Sequence, residues 1–268
     1  MFSGSKQRRT LLPLVLVHLT SLLHAETGDT FNGFIAVGIA TVPQYEGSDD
    51  QKISPLVVAQ LEYRSYSLEI LGNDLRAEVS PFSWIEFGPT LSFRSGRDNS
   101  DIDNVVVREM REIDDAFEGG AFVQFPFRGV LSPRDRLSLG ADISFDLSDT
   151  YDGYVFSFGA SYNLQVTDAL TVGLSLGSTY ASEDYNQTYF GIDADNAERS
   201  GLPLYEADAG LKDIGLTFRA QYMITEDWGV LGVARFKNLL GDAADSPMVD
   251  QEGNASQFLG GVGILYEF

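Results

Sequence analysis

Apolar and polar residues alternate one by one along most of this chain. In the segment 137–147 the odd positions are Leu, Ala, Ile or Phe, and the even positions are Ser, Gly or Asp. A period of two is typical of β-strands with two different faces and not of helices. The same pattern, with varying clarity, is found in segments 31–41, 55–63, 66–70, 75–79, 85–94, 121–127, 137–147, 154–164, 170–177, 214–222, 228–237 and 257–268. We therefore predict an all-β protein with twelve strands.

The composition of the two faces favours a membrane protein over a soluble β-sandwich, whose strands also alternate. The polar faces are rich in Gly, Ser and Thr, as a narrow aqueous lumen requires. Aromatic residues gather near strand ends, where a membrane interface favours them, at Tyr63, Tyr154, Tyr222, Trp228 and Tyr266.

Short and long connections alternate along the chain, which places short turns in the periplasm and long loops outside the cell. The prediction is a transmembrane antiparallel up-and-down β-barrel. It has twelve strands, or ten if the weak hairpin 66–80 lies outside the wall. Such a barrel belongs in the outer membrane of a Gram-negative bacterium, in contact with its lipid and lipopolysaccharide.

The last strand keeps its apolar alternation as far as Phe268. An unpaired apolar edge of this kind would promote aggregation, so we expect the strand to close the barrel against the first one. Tyr266 and Phe268 resemble the terminal signal of bacterial outer-membrane barrels. That resemblance implies the barrel assembly machinery as a partner.

Residues 1–25 read as a secretory signal peptide, which leaves 26–268 as the barrel domain. Lys6, Arg8 and Arg9 precede a short apolar run at 11–23, and Ala25 offers a small residue before the cut. The run is too short for a membrane anchor helix, which needs about 20 apolar residues.

Removal of the signal peptide would take away both histidines, His18 and His24, and the chain has no cysteine. The remaining residues could form no Ser–His or Cys–His pair, no His-ligated metal site and no disulfide. We therefore predict no enzymatic activity and no cofactor. The net charge of −21 would become −24 with the loss of three basic residues, which makes nucleic acid a poor partner.

Several charged residues fall on the polar faces and should point into the lumen. They are Glu62, Glu86, Arg94, Arg136, Asp142, Asp146, Arg219, Arg235 and Lys237. Both signs inside a narrow barrel can form a selectivity constriction. They can also pair across strands and plug the bore, because lone buried charges are costly. We favour the plug.

Acidic loops offer candidate cation sites, because hard cations need several oxygen ligands. One set is Glu46, Asp49 and Asp50 in the first loop, and another is Asp193, Asp195, Asp242 and Asp245. The same residues suit solvated loop tips, so we assign no metal.

A motif in the long loop after 180 resembles the signature of the MipA/OmpV family, also called MltA-interacting protein. The residues that carry it are Tyr189, Phe190, Gly191, Ser200, Gly201, Leu202, Pro203 and Tyr205. Similar stretches are Tyr45-Glu46-Gly47-Ser48 and the run 242–247. The resemblance extends from about Gly33 to Phe268 and implies an outer-membrane barrel.

The resemblance also implies a scaffold role, which belongs to some members of the family: they bridge a membrane-bound lytic transglycosylase and a murein synthase. Others are described only as outer-membrane antigens or porin-like proteins. Two further functions thus stay open at this point, a passive channel for small solutes and a surface antigen or adhesin.

Overall fold

The computed structural model describes residues 31–268. The predicted signal peptide, 1–25, lies outside the described residues. No helix in the described part of the chain is both long and apolar enough to cross a membrane.

Twelve antiparallel strands form a closed barrel in which each strand pairs with its neighbours in sequence and β1 pairs with β12. The strands are β1 (Asn32–Pro43), β2 (Gln51–Tyr63), β3 (Tyr66–Leu71), β4 (Asp74–Phe82), β5 (Ile85–Arg94), β6 (Ala116–Arg128), β7 (Asp135–Asp146), β8 (Tyr154–Gln165), β9 (Leu170–Ala181), β10 (Gly210–Met223), β11 (Trp228–Leu239) and β12 (Ser256–Glu267). The predicted fold class and the count of twelve are confirmed. The weak hairpin, β3–β4, is part of the wall, so the ten-stranded alternative is wrong.

Closure of the barrel depends on the close approach of β1 and β12. Val37 lies opposite Ile264 and Gly38 lies opposite Gly263. A Cβ atom on Gly38 would be 1.9 Å from the carbonyl oxygen of Val262, so only glycine fits there. Beyond the strand, the N–H of Phe268 donates to the carbonyl of Gly33 at 2.9 Å, and the reverse bond is 3.1 Å long.

The apolar outer face is exposed, as a lipid-facing surface must be in an isolated barrel. Phe158, Leu174 and Val262 are examples, with 45%, 48% and 65% of their surface exposed. One sector of the inner face differs from the predicted polar lumen. On β11, β12, β1 and β2 it is lined by buried Leu231, Leu265, Ala36, Ala40, Leu56 and Val58. A Cβ on Gly261 would touch Leu56 at 3.0 Å, so these apolar side chains pack along the wall itself.

The two ends of the barrel differ, as predicted from the lengths of the connections. One end carries five short turns, at 64–65, 83–84, 129–134, 166–169 and 224–227. The other carries the β3–β4 turn and five longer loops, at 44–50, 95–115, 147–153, 182–209 and 240–255. These loops contain helices α1 (Glu183–Phe190), α2 (Ala194–Ser200), α3 (Gly241–Asp245) and α4 (Pro247–Asp250), and two short 3-10 helices, Asn99–Asp101 and Val107–Glu109.

Candidate functional site

The five long loops share one hydrophobic core, and we call them together the lid. Its buried loop residues are Tyr45, Ile102, Val107, Met110, Tyr151, Tyr185, Tyr189, Phe190, Ile192, Leu202, Ala207, Ala243, Met248 and Val249. Because these loops start from strands on all sides of the barrel, a common core requires them to cross its outer mouth. Hydrogen bonds also join separate loops, as from Gln44 to Asp103 at 2.7 Å and from Asn104 to the carbonyl of Glu252 at 3.0 Å.

Helix α1 supplies the central side chains of the lid. The Ser182 side chain caps the helix by accepting a hydrogen bond from the Tyr185 N–H, and acidic residues occupy the first turn, where the helix dipole favours them. Tyr185 and Tyr189 lie one turn apart on the same face, with ring centroids 4.6 Å apart. Phe190 is fully buried beside them.

The residues of the family motif all lie in the lid. Tyr189 and Phe190 end α1, and Gly191 follows it directly. Ser200 ends α2, and Gly201 terminates that helix in the left-handed conformation at φ 77°. Leu202 is buried and Pro203 is exposed. Tyr205 pairs with Ile192 in a β-bridge, and its hydroxyl donates to the carbonyl of Asp242 at 2.9 Å.

Glu46 projects from the first loop onto the inner wall of the β10–β11 hairpin. Its Oε1 accepts hydrogen bonds from Lys212 Nζ at 2.6 Å and from Lys237 Nζ at 2.5 Å. Its Oε2 accepts one from the Tyr185 hydroxyl at 2.8 Å. Asp213 also lies 3.0 Å from the Lys212 ammonium. This carboxylate therefore ties the lid to two strands of the barrel wall.

The charges around Glu46 shift its protonation. Burial alone raises the pKa of Glu46, but Lys212, Lys237 and Arg94 outweigh burial and hold the pKa well below its usual value of 4.5. Burial raises the pKa of the Tyr185 hydroxyl well above its usual value, so this group stays a hydrogen-bond donor. Glu46 is consequently ionised at neutral pH.

A second ion pair lies beside the first, under the same aromatic side chains. Arg94 Nε donates to Glu118 Oε1 at 2.5 Å, and Arg94 Nη2 donates to Glu118 Oε2 at 3.2 Å. The Tyr151 hydroxyl donates to the same carboxylate at 2.9 Å. The Arg94 guanidinium also lies 5.0 Å from the centroid of the Tyr185 ring, which adds a cation–π contact.

The charges predicted to line the lumen have several different environments. Arg94 pairs with Glu118, Arg136 pairs with Glu86, and Asp142 lies 3.9 Å from Arg76. Asp146 instead accepts N–H bonds from Ser148 and Tyr151 and caps the β7–β8 loop.

Lys237 pairs with Glu46 of the lid, and the other three predicted charges form no ion pair within 31–268. Glu62 is exposed near the short-turn end and accepts a bond from Gln60 at 2.7 Å. Arg235 donates to the Thr217 hydroxyl at 3.1 Å. The Arg219 side chain makes no hydrogen bond or ion pair with any residue in 31–268. The predicted plug of paired charges therefore covers only part of the set, and the lid closes the mouth instead.

The acidic loops do not converge on a cation site in the described part of the chain, which holds no cluster of three or more metal-binding side chains. Glu46 contacts lysines rather than Asp49 or Asp50. Asp193 and Asp195 pair with Arg111, and Asp195 also pairs with Arg199. Asp242 accepts the N–H of Asp208 at 2.7 Å, and Asp245 lies on the same short helix as Asp242 without completing a cluster of three such side chains within 31–268.

Lys212 was not predicted among the lumen charges, because this residue interrupts the alternation of β10. The register shifts between Leu211 and Asp213, so that Lys212 and Asp213 are both buried while Leu211 is exposed. A β-bulge of this kind redirects a side chain. The signal in the sequence is the adjacent pair Lys212-Asp213 just before a regular strand.

Comparison with known proteins finds similarity over nearly the whole described chain. The family described as MltA-interacting protein MipA matches residues 35–268. The MltA-interacting protein of Escherichia coli (strain K12) is 30% identical over 164 residues, which cover 60% of this chain and 61% of that protein. The chain thus spans about three fifths of this relative's length.

Two further proteins show weaker similarity. The putative outer membrane protein YiaT of Escherichia coli (strain K12) is 31% identical over 112 residues, 41% of this chain and 44% of that protein. The structure of an outer membrane channel from Pseudomonas putida F1 can be superposed over 91% of this chain and 97% of the channel's chain, with 10% sequence identity and a TM-score of 0.44. These relatives are named as interacting or outer membrane proteins, not as enzymes.

Proposed function

The chain belongs to the MltA-interacting protein MipA family of outer-membrane proteins, and on that premise we propose that it is a non-enzymatic scaffold for murein enzymes. Its partners are a murein lytic transglycosylase and a murein synthase, which the barrel bridges. The lid carries this conclusion, because loops that share a buried core across the mouth are unlike the open entrance of a passive pore. The name of the Escherichia coli relative supports the choice of partner.

The short turns are the surface that such an enzyme can reach, because short turns of outer-membrane barrels face the periplasm. Several of them carry exposed apolar side chains, among them Trp84, Leu131 and Ile224, with 57%, 82% and 65% of their surface exposed. A partner that covers such a side chain gains free energy from the apolar surface it buries.

Leu131 lies on a turn that is fixed in shape. The Asp135 carboxylate accepts the N–H groups of Val130 and Leu131 at 2.7 Å each, and that of Ser132 at 2.8 Å. The Tyr162 hydroxyl donates to the same carboxylate. An apolar side chain held on a preorganised turn binds a partner with less loss of conformational entropy. We therefore assign Leu131 as a contact for the transglycosylase.

The test is a binding measurement between the barrel in lipid nanodiscs and a purified, soluble lytic transglycosylase, by biolayer interferometry. We expect Leu131→Asp to weaken binding by about tenfold or more. Leu204→Asp is the matched control, because Leu204 is a similarly exposed leucine (68%) in the lid at the opposite end. Loss of binding in the control alone, equal binding of all forms, or no binding at all would contradict the assignment.

The bridging role is tested by adding the murein synthase. We expect the synthase and the transglycosylase to co-elute in size-exclusion chromatography only when the barrel is present. A synthase that binds the transglycosylase equally well without the barrel would rule out bridging.

A passive channel is the second candidate, favoured by one observation. Arg219 and Arg235 face the lumen with no carboxylate partner in the described chain.

A further inference from the structure

We propose that the inner wall of the β10–β11 hairpin is a binding site for small carboxylate anions, and that Glu46 of the lid occupies its outermost position. Lys212, Lys237, Arg235 and Arg219 form this wall. The inference does not depend on binding of a transglycosylase, because it concerns the opposite end of the barrel.

The four cations follow one another down the lumen. Lys237 lies opposite Gly215, Arg235 lies opposite Thr217, and Arg219 lies opposite Val233. Each step is two residues along the strands, which is about 6.6 to 6.8 Å. The outward neighbours Leu216, Phe218 and Phe236 are exposed to the lipid side, so the cations share the inner face. An anion that leaves one position thus finds another cation within one side-chain length.

Fixed carboxylates neutralise only the outer end of this series. Lys212 and Lys237 contact Glu46 and Asp213. Arg235 has only a hydroxyl partner, and Arg219 has no partner among residues 31–268. Positive charges without fixed counter-charges attract mobile anions into a lumen.

The facing wall carries a net charge of the opposite sign. The inward carboxylates of β3 to β7 outnumber the inward guanidinium groups there. The carboxylates are Glu69, Asp74, Glu78, Glu86, Glu118, Asp142 and Asp146, and the guanidinium groups are Arg76, Arg94, Arg128 and Arg136. The potential therefore changes sign across the lumen and places anions against β10 and β11.

Glu46 shows which chemistry the outer position accepts. One carboxylate oxygen lies 2.6 and 2.5 Å from two ammonium groups, and the other receives a phenol O–H at 2.8 Å. A free carboxylate can use the same three donors. Because Glu46 is tethered, it competes at an effective concentration on the order of millimolar or above. When the lid is closed, the Glu46 side chain therefore blocks the binding of a free carboxylate at the outer position.

Citrate is the probe, titrated calorimetrically into the barrel folded in detergent. We expect Glu46→Gln to bind citrate at least about tenfold more tightly than the unmodified protein, because the tethered competitor loses its charge. Adding Arg219→Gln and Arg235→Gln to that variant should weaken citrate binding, because two of the four cations of the wall are removed. Glu198→Gln is the control. It removes one exposed lid carboxylate that makes no hydrogen bond or ion pair in the described chain, and it should change nothing.

Three results would overturn the site. These are equal citrate affinity of Glu46→Gln and the unmodified protein, unchanged affinity after loss of both arginines, and equal affinity of Glu46→Gln for inorganic phosphate at the same pH. The last result would contradict the assignment to carboxylates.

A second measurement covers the case in which Glu46→Gln does not fold. Phe190→Ala removes a buried ring from the lid core without touching the cations. In planar bilayers with a KCl gradient, we expect this variant to prefer chloride. Arg219→Gln and Arg235→Gln in the same background should shift the reversal potential towards potassium. An unchanged reversal potential would refute the cationic wall.

Discussion

Phe190 is the residue through which the stability of the lid can be tested apart from that of the barrel. Its side chain is fully buried among loop residues, and its carbonyl accepts a hydrogen bond from the Ser246 hydroxyl at 2.6 Å. Because the ring packs within the lid core, Phe190→Ala should destabilise the closed lid and leave the strand pairing intact.

The free energy by which Phe190→Ala destabilises the closed lid follows from the complete burial of the Phe190 ring. Truncation of a buried Phe to Ala costs about 3–5 kcal/mol, from lost transfer free energy and the cavity left behind. Since about 1.4 kcal/mol is a factor of ten, the open population of the lid should rise by roughly two to three and a half orders of magnitude. Local opening free energies in proteins range from near zero up to the global stability, so a change of this size exposes the loops.

The assay combines limited proteolysis of the loops with conductance in planar bilayers. Phe218→Ala is the control, because Phe218 is a lipid-facing phenylalanine of β10 with 48% of its surface exposed. We expect cleavage within 182–209 and a higher conductance in Phe190→Ala only. Equal cleavage and conductance in the two variants would show that the lid does not close the mouth.

Three further predictions concern the wall and the charge of the lid. Gly38→Ala should prevent β1 from pairing with β12, because the new Cβ would lie 1.9 Å from a carbonyl oxygen. Gly232→Ala is the control and should fold, because a Cβ there meets no atom within 4 Å. Heat-modifiable mobility in gel electrophoresis distinguishes the folded from the unfolded barrel. Phe158→Arg should cost about 2–4 kcal/mol in a folding titration into lipid vesicles, and Ser161→Arg on the inner face of the same strand less; equal costs would contradict the lipid-face assignment. The low pKa of Glu46 in the folded protein stabilises the lid fully above pH 4.5, and this stabilisation is lost as the pH falls through that lower pKa. At acid pH the amide hydrogens of the lid should therefore lose protection from exchange in the unmodified protein, and those of Glu46→Gln should not show this loss.

The strands of the barrel wall could be predicted from the sequence because the pattern that identifies each strand lies within that strand. Alternation with a period of two is visible within each strand, and the lengths of the connections show which end of the barrel carries the short turns and which the long loops. Even so, the buried apolar sector at Leu56 and Leu231 was not predicted. There both faces of a strand are apolar, so periodicity cannot tell which neighbours the inner residues will meet.

The lid could not be predicted, because its contacts join residues that are distant in sequence. Glu46 and Lys212 are separated by 166 positions, and Glu46 and Lys237 by 191. Nothing near Glu46 indicates a lysine partner, and the acidic loop reads equally well as a cation site or a solvated tip. The bulge at Lys212 adds a second obstacle, because it moves a side chain to the face opposite the one that alternation assigns. Loops that are polar in composition can therefore hide a core that forms only when all of them meet.

The placement of the two binding surfaces allows their functions to be separated. Leu131 lies on a short turn at one end of the barrel, whereas Glu46 lies under the lid at the other end. A change at one end alters neither the contacts nor the charges at the other, so the effects of distant substitutions should be additive. Leu131→Asp should therefore weaken binding of the transglycosylase and leave the affinity for citrate unchanged. Glu46→Gln should raise the affinity for citrate and leave binding of the transglycosylase unchanged. If instead citrate binding in Glu46→Gln also changed the affinity for the transglycosylase, the two sites would be coupled through the wall. The barrel would then act as a transmembrane sensor rather than as a scaffold with an independent anion site.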